Sequence, residues 1–285
     1  MTAAMQKTAA AVHDLSGFGK CSLTVILPVL SAAGIACSAV PTAVLSSHTG
    51  GLSGVYHQDF TEGVRAFARQ WSDLSLHFDA LYTGYMSSPG QIAACGELVG
   101  SLRRRDTLFL ADPALGDHGR LYRGISKETA DAMLTFCRGA DLILPNRTEA
   151  ALLLGEELRD EMPERAEAAL LLPRLAQLGP RRVVLTGVSF SEESIGAACY
   201  DAETGKIDFA AAPRVQGHFH GTGDLFGAAL LAGLLCGRAL PEAMQMSVHF
   251  VSRSIFRTWR AGTDPRFGVD FEEELPGLMR ELRLL

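Results

Sequence analysis

Gly221-Thr222-Gly223-Asp224 runs straight into an apolar helical stretch, Leu225 to Leu235, and this junction decides how the rest of the chain is read. Two glycines around a Thr at a helix start let the backbone approach a ligand and leave several N–H groups without intrahelical partners. Those donors, at the positive end of the helix dipole, suit an anion and most naturally a phosphate. Asp224 then conflicts with the ligand, because a carboxylate repels a phosphate. The conflict disappears if Asp224 is a base that takes a proton from a hydroxyl while the N–H cluster holds the phosphoryl group in transfer. Taken alone, the four residues also fit an ordinary helix N-terminus with Asp in its first turn.

Composition narrows the choice. The chain has 285 residues, 47% hydrophobic and 20% charged, enough for one large α/β domain spanning 1–285. A net charge of -6 argues against a nucleic-acid surface, and the only basic cluster, Arg103-Arg104-Arg105, reads as a solvated helix end. Six cysteines are scattered without a C-x-x-C pair, as small buried hydrophobes in a reducing compartment rather than a disulfide or zinc framework. Met1 to Ala11 lacks the long apolar core of a signal peptide, and no apolar run reaches membrane-span length. The expectation is a cytoplasmic protein without membrane or nucleic-acid partners.

Short apolar runs alternate with helical patterns. Ala9 to Val12, Cys37 to Leu45, Ala80 to Gly84, Thr107 to Ala111, Asp141 to Leu144 and Arg182 to Gly187 read as buried strands. Leu23 to Ala33, Thr61 to Trp71, Gln91 to Arg104, Lys127 to Arg138 and Arg165 to Leu178 read as helices, the last kinked or split by Pro173. This alternation predicts a mostly parallel sheet with helices on both faces. Ile195 to Tyr200 and Lys206 to Ala211 flank a turn-rich loop and predict an antiparallel hairpin at the sheet edge, followed by helices from Asp224 to Cys236 and Pro241 to Trp259.

In such folds ligands bind beyond the carboxyl ends of the strands. There the reading places His13-Asp14-Leu15-Ser16-Gly17, Ser46-Ser47-His48-Thr49-Gly50-Gly51, Gly84-Tyr85, Asp112-Pro113, Asn146-Arg147-Thr148-Glu149 and Thr186-Gly187, each just after a strand. Asp112, Asp117 and Glu149 are candidates to hold the metal of a magnesium nucleotide, directly or through water. Asn146 and Glu149 also stand at the spacing of a capping box, which is the purely structural alternative. Gly116 to Gly124 reads as a mobile flap or as a plain surface loop. P-loop, dinucleotide and nucleophile-elbow motifs are absent from the sequence. His218-Phe219-His220 would put two imidazoles on one face of a strand, weak as a zinc signal and better read as packing beside the anion site.

Together Gly221-Thr222-Gly223-Asp224, Asn146-x-x-Glu149 and Asp112-Pro113-x-x-Gly116-Asp117 resemble the ribokinase-like superfamily. Ser46-Ser47-His48-Thr49-Gly50 and Gly84-Tyr85 resemble its vitamin B6 branch, the pyridoxal kinases. The resemblance runs in order over nearly the whole chain. It implies an α/β three-layer sandwich and ATP-dependent phosphorylation of the 5′-hydroxymethyl group of pyridoxal, pyridoxine or pyridoxamine. It also implies a homodimer that uses Mg²⁺, with a monovalent cation such as K⁺. By motif, Asp224 would be the base and Gly221, Thr222 and Gly223 the anion hole. Asp112, Asp117 and Glu149 would surround metal and phosphates with Asn146 beside them, and Thr49 and Tyr85 would line the ring pocket. Thr186 stands where relatives carry Lys. The first segment, Asp14-Leu15-Ser16-Gly17, is closer to the D-P-S-G of hydroxymethylpyrimidine kinases, which makes Asp14 and Ser16 candidate substrate contacts and hydroxymethylpyrimidine the alternative acceptor. A non-catalytic ligand-binding protein of the same fold is the third reading.

Overall fold

Small side chains set the centre of the sheet. β1 (Thr8–Ser16) carries Ala9, Ala10, Ala11 and Val12, all fully buried. The computed structural model describes residues 5–158 and 164–285, so residues 1–4 of the N-terminal stretch considered above lie outside the described residues. After β1 come α1 (Leu23–Ala32), β2 (Ala36–Leu45), β3 (His57–Asp59) and α2 (Thr61–Asp73). β4 (Ala80–Thr83), α3 (Pro89–Leu102) and β5 (Leu108–Ala111) follow. A small ribbon of β6 (Gly116–Asp117) and β7 (Arg120–Leu121) leads to α4 (Lys127–Cys137), β8 (Leu142–Ile143), α5 (Arg147–Leu154) and α6 (Arg165–Ala176). β9 (Arg182–Ser191), β10 (Ser194–Asp201) and β11 (Lys206–Pro213) precede α7 (Thr222–Leu235), α8 (Leu240–Ala261) and α9 (Leu275–Glu281).

The main sheet has nine strands in the order β11-β10-β9-β8-β5-β4-β1-β2-β3. Pairings from β2 through β1, β4, β5 and β8 to β9 are parallel, and β3, β10 and β11 add antiparallel pairings at the two edges. Because side chains alternate across a strand, one run of residues feeds two cores. Ala9, Ala11 and Tyr82 join α1, α7 and α8 on one face, while Ala10, Val12 and Leu81 join α2, α3, α4 and α6 on the other. The result is helices, sheet, helices: the three-layer α/β sandwich expected from the alternation.

Several local expectations change. His13 to Ser16 do not follow the first strand but continue it, with a register shift between His13 and Leu15 where β1 pairs with β2. That irregularity turns Asp14 out of regular alternation. α6 runs continuously through Pro173 near its C-terminal end, where the missing N–H costs one ladder bond and burial of Leu171, Leu172 and Leu175 holds the helix. Residues 218–220 are not strand. The 116–124 segment is organised by the β6–β7 ribbon, whose polar residues hide it from a periodicity search. β3 and α9 are too short to show a periodicity, while α5 is announced only by the capping-box spacing of Asn146 and Glu149.

Candidate active site at the carboxyl edge of the sheet

Gly221 opens α7 with φ +75, the left-handed region that glycine enters without strain, and a Cβ there would overlap the Lys20 carbonyl. The first-turn N–H groups of Thr222, Gly223 and Asp224 lack intrahelical acceptors and face outward at the sheet edge. Thr222 Oγ1 donates to the Phe219 carbonyl at 3.1 Å, which fixes the turn before the helix. The donors this helix start offers are backbone groups.

Asp224 stands in the first turn with a fifth of its side chain exposed. Its Oδ2 accepts the Ser22 backbone N–H at 2.8 Å, and its Oδ1 lies 3.8 Å from His13 Nδ1. Burial, joined by the charges on Asp112 and Asp14, pushes its pKa up to about 8. His13 is wholly buried, neither ring nitrogen has a hydrogen-bond partner, and burial drives its pKa down to about 3. It is a neutral imidazole beneath the carboxylate, edge-on to Tyr82 with centroids 4.3 Å apart. Ser22, at φ 50, turns its N–H to Asp224 and its hydroxyl to Asp14 Oδ1 at 2.5 Å. Ser16 donates to the other Asp14 oxygen at 2.9 Å. Asp14 and Ser16 thus lie buried in β1 and bonded to each other, and burial raises the Asp14 pKa.

Asp112 and Glu149 meet at the ends of β5 and α5. Burial raises the pKa of both, Glu149 to about 8, and the Glu149 charge raises Asp112 further. Glu149 also closes the capping box of α5: it accepts from Asn146 N at 3.0 Å, while Asn146 Oδ1 accepts from Glu149 N at 3.0 Å. Its other oxygen accepts from Leu115 N at 2.9 Å, and Asn146 Nδ2 donates to the Gly116 carbonyl at 2.8 Å. The structural and functional readings of Asn146 and Glu149 are compatible. Asp117 is half exposed and its charge adds to the rise at Glu149; it accepts from His118 N at 2.8 Å, with its other oxygen 3.6 Å from His118 Nε2. Among the described residues no three His, Cys, Asp or Glu side chains meet closely enough to hold a metal by themselves. The mutually repelling Asp112–Glu149 pair fits Mg²⁺, which takes one or two carboxylates and completes its shell with water and phosphate oxygens.

The 116–124 segment is anchored beside this pair, with Gly119 N donating to Thr148 Oγ1 at 2.9 Å. His118 Nε2 lies 3.1 Å from His218 Nδ1, joining the segment to the loop that precedes α7. Tyr122 is exposed as a whole, and its pKa is raised by desolvation and by the charges on Glu149, Asp117, Asp112 and Asp224. Thr186 sits half-buried in β9 beside Gly187, which has φ +71, and its N–H donates to the Pro145 carbonyl at 3.0 Å.

Thr49 and Tyr85 come together in a cleft of about 390 Å³, with Val55, Ser87, Arg123 and Gly124 among its walls. Gly50 accommodates the His220 ring and Gly84 the His13 ring, since a Cβ at either would overlap the imidazole. His48 Nδ1 accepts from Gly50 N at 3.1 Å, so the hydrogen is placed on Nε2, which donates to the Arg266 carbonyl at 2.5 Å. The loop carrying Thr49 is thereby pinned to the C-terminal segment. A larger hollow of about 840 Å³ between α6 and the β9–β11 edge contains none of the candidate residues. Sequence reasoning missed Ser22 and gave His13 no role, because no motif spacing marks them. Arg123 belongs to no motif and lies within the 116–124 segment.

The phosphomethylpyrimidine kinase family profile matches residues 27–267. A pyridoxine/pyridoxal/pyridoxamine kinase of Bordetella avium is 27% identical over 261 residues, covering 84% of this chain and 81% of that protein. The structure of a pyridoxal kinase from Lactobacillus plantarum superposes with a TM-score of 0.88 at 30% identity, covering 97% of this chain and 98% of that one. A Bacteroides thetaiotaomicron protein crystallised with pyridoxal superposes with a TM-score of 0.91 at 35% identity, covering 96% of each chain.

Proposed function

The chain belongs to the phosphomethylpyrimidine kinase family, and we propose that it is an ATP-dependent kinase of the 5′-hydroxymethyl group of a B6 vitamer, acting as one domain over residues 1–285. The observation that carries the reading is Asp224 at the α7 cradle within reach of the charge on half-buried Asp112, which itself neighbours buried Glu149, with the Thr49–Tyr85 cleft joined to Asp224 through Gly84 and the His13 ring. One side receives a phosphoryl donor and its cation, the other a flat hydroxymethyl ring.

Asp224 takes the proton of the acceptor hydroxyl. Its raised pKa makes it a stronger base than an ordinary carboxylate, and Ser22 N–H holds one oxygen so that the other faces the hydroxyl. The N–H groups of Thr222, Gly223 and Asp224, in the cradle opened by Gly221, stabilise charge on the phosphoryl group in transfer. Asp112 and Glu149, with Asn146 ordering α5, would hold Mg²⁺, and Asp117 would act on it through water. When bound, Mg²⁺ supplies neutralisation of phosphate charge. Thr186 reaches the phosphate side as a hydroxyl rather than a cation. The 116–124 segment closes over the site, excluding water that would otherwise compete as acceptor.

The same reading includes a monovalent cation such as K⁺, a homodimer, a cytoplasmic location and a place in vitamin B6 salvage. Among the described residues no helix is long and apolar enough to cross a membrane. The family match and the segment Asp14-Leu15-Ser16-Gly17 favour hydroxymethylpyrimidine as the second acceptor. Burial of Asp14 and Ser16 within β1 favours the B6 vitamer, because those two side chains are already engaged with each other and with Ser22. The test is ADP release from Mg-ATP with a panel of acceptors. We expect kcat/KM for pyridoxal or pyridoxamine to exceed that for hydroxymethylpyrimidine by at least about tenfold, since a site built around a substrate's polar groups rejects analogues lacking them. A higher value for hydroxymethylpyrimidine reverses the substrate assignment and leaves the kinase standing; stabilisation by ligands without ADP release makes the protein a binder.

A further inference from the structure

Arg123 lines the cleft that holds Thr49 and Tyr85, next to Gly124 and Ser87. It is carried there by the 116–124 segment, just past β7, and Tyr122 before it is tied to the rest of the fold through its N–H to the Leu115 carbonyl at 2.9 Å. Gly124, at φ +90, turns the chain directly after it. Arg65, Arg103, Arg147, Arg174, Arg253 and Arg257 each pair with a carboxylate. Arg123 is exposed at the mouth of the cleft and makes no hydrogen bond or ion pair among the described residues, and no Asp or Glu lines the cleft. A guanidinium in a ring-sized cleft without a protein counter-charge is suited to a ligand that brings its own anion.

The two acceptor classes differ in that respect. A B6 vitamer carries a 3-hydroxyl on its pyridine ring that ionises to a phenolate near neutral pH. Hydroxymethylpyrimidine carries an amino group and no acidic substituent. We infer that Arg123 is the residue by which this site selects a 3-oxidopyridine over an aminopyrimidine, its guanidinium pairing with the ring oxygen when the 116–124 segment covers the acceptor. The inference deepens the kinase reading and rests on its acceptor class. It places the selecting charge on the segment that closes rather than on the rigid strand ends, so the wrong ring fails to hold the segment down. Thr49 and Tyr85 offer a hydroxyl and an aromatic wall, which both rings can use.

The experiment pairs two variants with three ligands: pyridoxine, 3-deoxypyridoxine, which differs from it only at the ring oxygen, and hydroxymethylpyrimidine. Equilibrium binding and kcat/KM are measured for the unaltered protein, Arg123→Gln and Arg123→Lys. Arg123→Gln is expected to weaken pyridoxine by about tenfold, as for loss of a charge-assisted hydrogen bond, and to leave 3-deoxypyridoxine and hydroxymethylpyrimidine within about twofold. Arg123→Lys is expected to restore part of the pyridoxine preference, since it keeps the charge without the fork. Equal losses on all ligands, a change confined to KM for ATP, or no change overturns the inference. Selective binding with no turnover in the unaltered protein sustains Arg123 and fails the kinase reading instead, so the two are separable.

Discussion

Ser22 donates its backbone N–H to Asp224 Oδ2 at 2.8 Å across 202 residues of sequence, and its hydroxyl holds Asp14 at the same time. A serine in a left-handed backbone conformation thus couples the α7 cradle to the irregular end of β1. The consequence is a fixed carboxylate: one oxygen occupied by an N–H, the other next to a neutral imidazole.

The base assignment predicts that Asp224→Asn lowers kcat by about two to four orders of magnitude, the range for a lost general base. Asn keeps an oxygen for the Ser22 N–H, so fold and nucleotide affinity should change little. Steady-state kinetics with nucleotide titration by calorimetry check both halves. Near-full turnover in the variant would remove Asp224 from the mechanism.

Stability should fall as pH rises through neutrality in the ligand-free protein. Asp224 and Glu149 titrate near 8 when folded and in the ordinary carboxylate range when unfolded. The folded state therefore holds more protons than the unfolded state between those limits, and ionising the groups there opposes folding. We expect Tm to decline between pH 5 and pH 9 (chosen about those limits), and the decline to be shallower in Asp224→Asn. A flat or rising Tm would show that neither carboxyl is held protonated. In the same window, kcat/KM for the acceptor should climb as Asp224 ionises.

The acidic pair predicts unequal metal phenotypes. Glu149→Gln removes a buried charge facing Asp112, so the Mg²⁺ concentration for half-maximal rate should rise by about tenfold. Asp117→Asn should shift it less, because the Asp117 carboxylate is half exposed and faces His118. Gln also presents an amide NH₂ where one Glu149 oxygen now accepts, at Leu115 N or Asn146 N, so this variant should unfold at a lower temperature than the sequence motif alone suggests. Equal Mg²⁺ dependence in both variants would dissolve the distinction.

Gly84 predicts a steric phenotype. A Cβ at this position would overlap the buried His13 ring, which has Tyr82 on another side. Gly84→Ala should cost about 1–3 kcal/mol by overpacking. His13→Ala in the same chain should return part of that loss, read by denaturant unfolding of the single and double variants. Additive losses would mean the strain is relieved elsewhere.

Much of this was legible in the primary structure because it is local. Alternating apolar runs gave the sandwich and the parallel sheet, and the β10–β11 hairpin announced the antiparallel edge. Gly221 to Asp224 gave the helix start, and the spacing of Asn146 and Glu149 gave the capping box. These features are periodicities or contacts within a few residues, which a linear string displays directly.

Other features formed only when distant segments met. β1 runs on through Ser16 because β2 lies beside it and continues to pair after a register shift, and a single strand cannot show that in advance. Asp14 and Ser16 are buried for the same reason. Pro173 stays helical because the core beneath α6 outweighs one lost hydrogen bond. The basicity of Asp224 comes from burial and from Asp112 and Asp14, none of which are its neighbours in sequence. Local patterns in the chain set the alternation of the main strands and helices and the residue types at their ends, but not β3, the β6–β7 ribbon or α9. Tertiary structure decided which of those residues share a site and in what charge state, because burial and through-space repulsion depend on distances that exist only after folding.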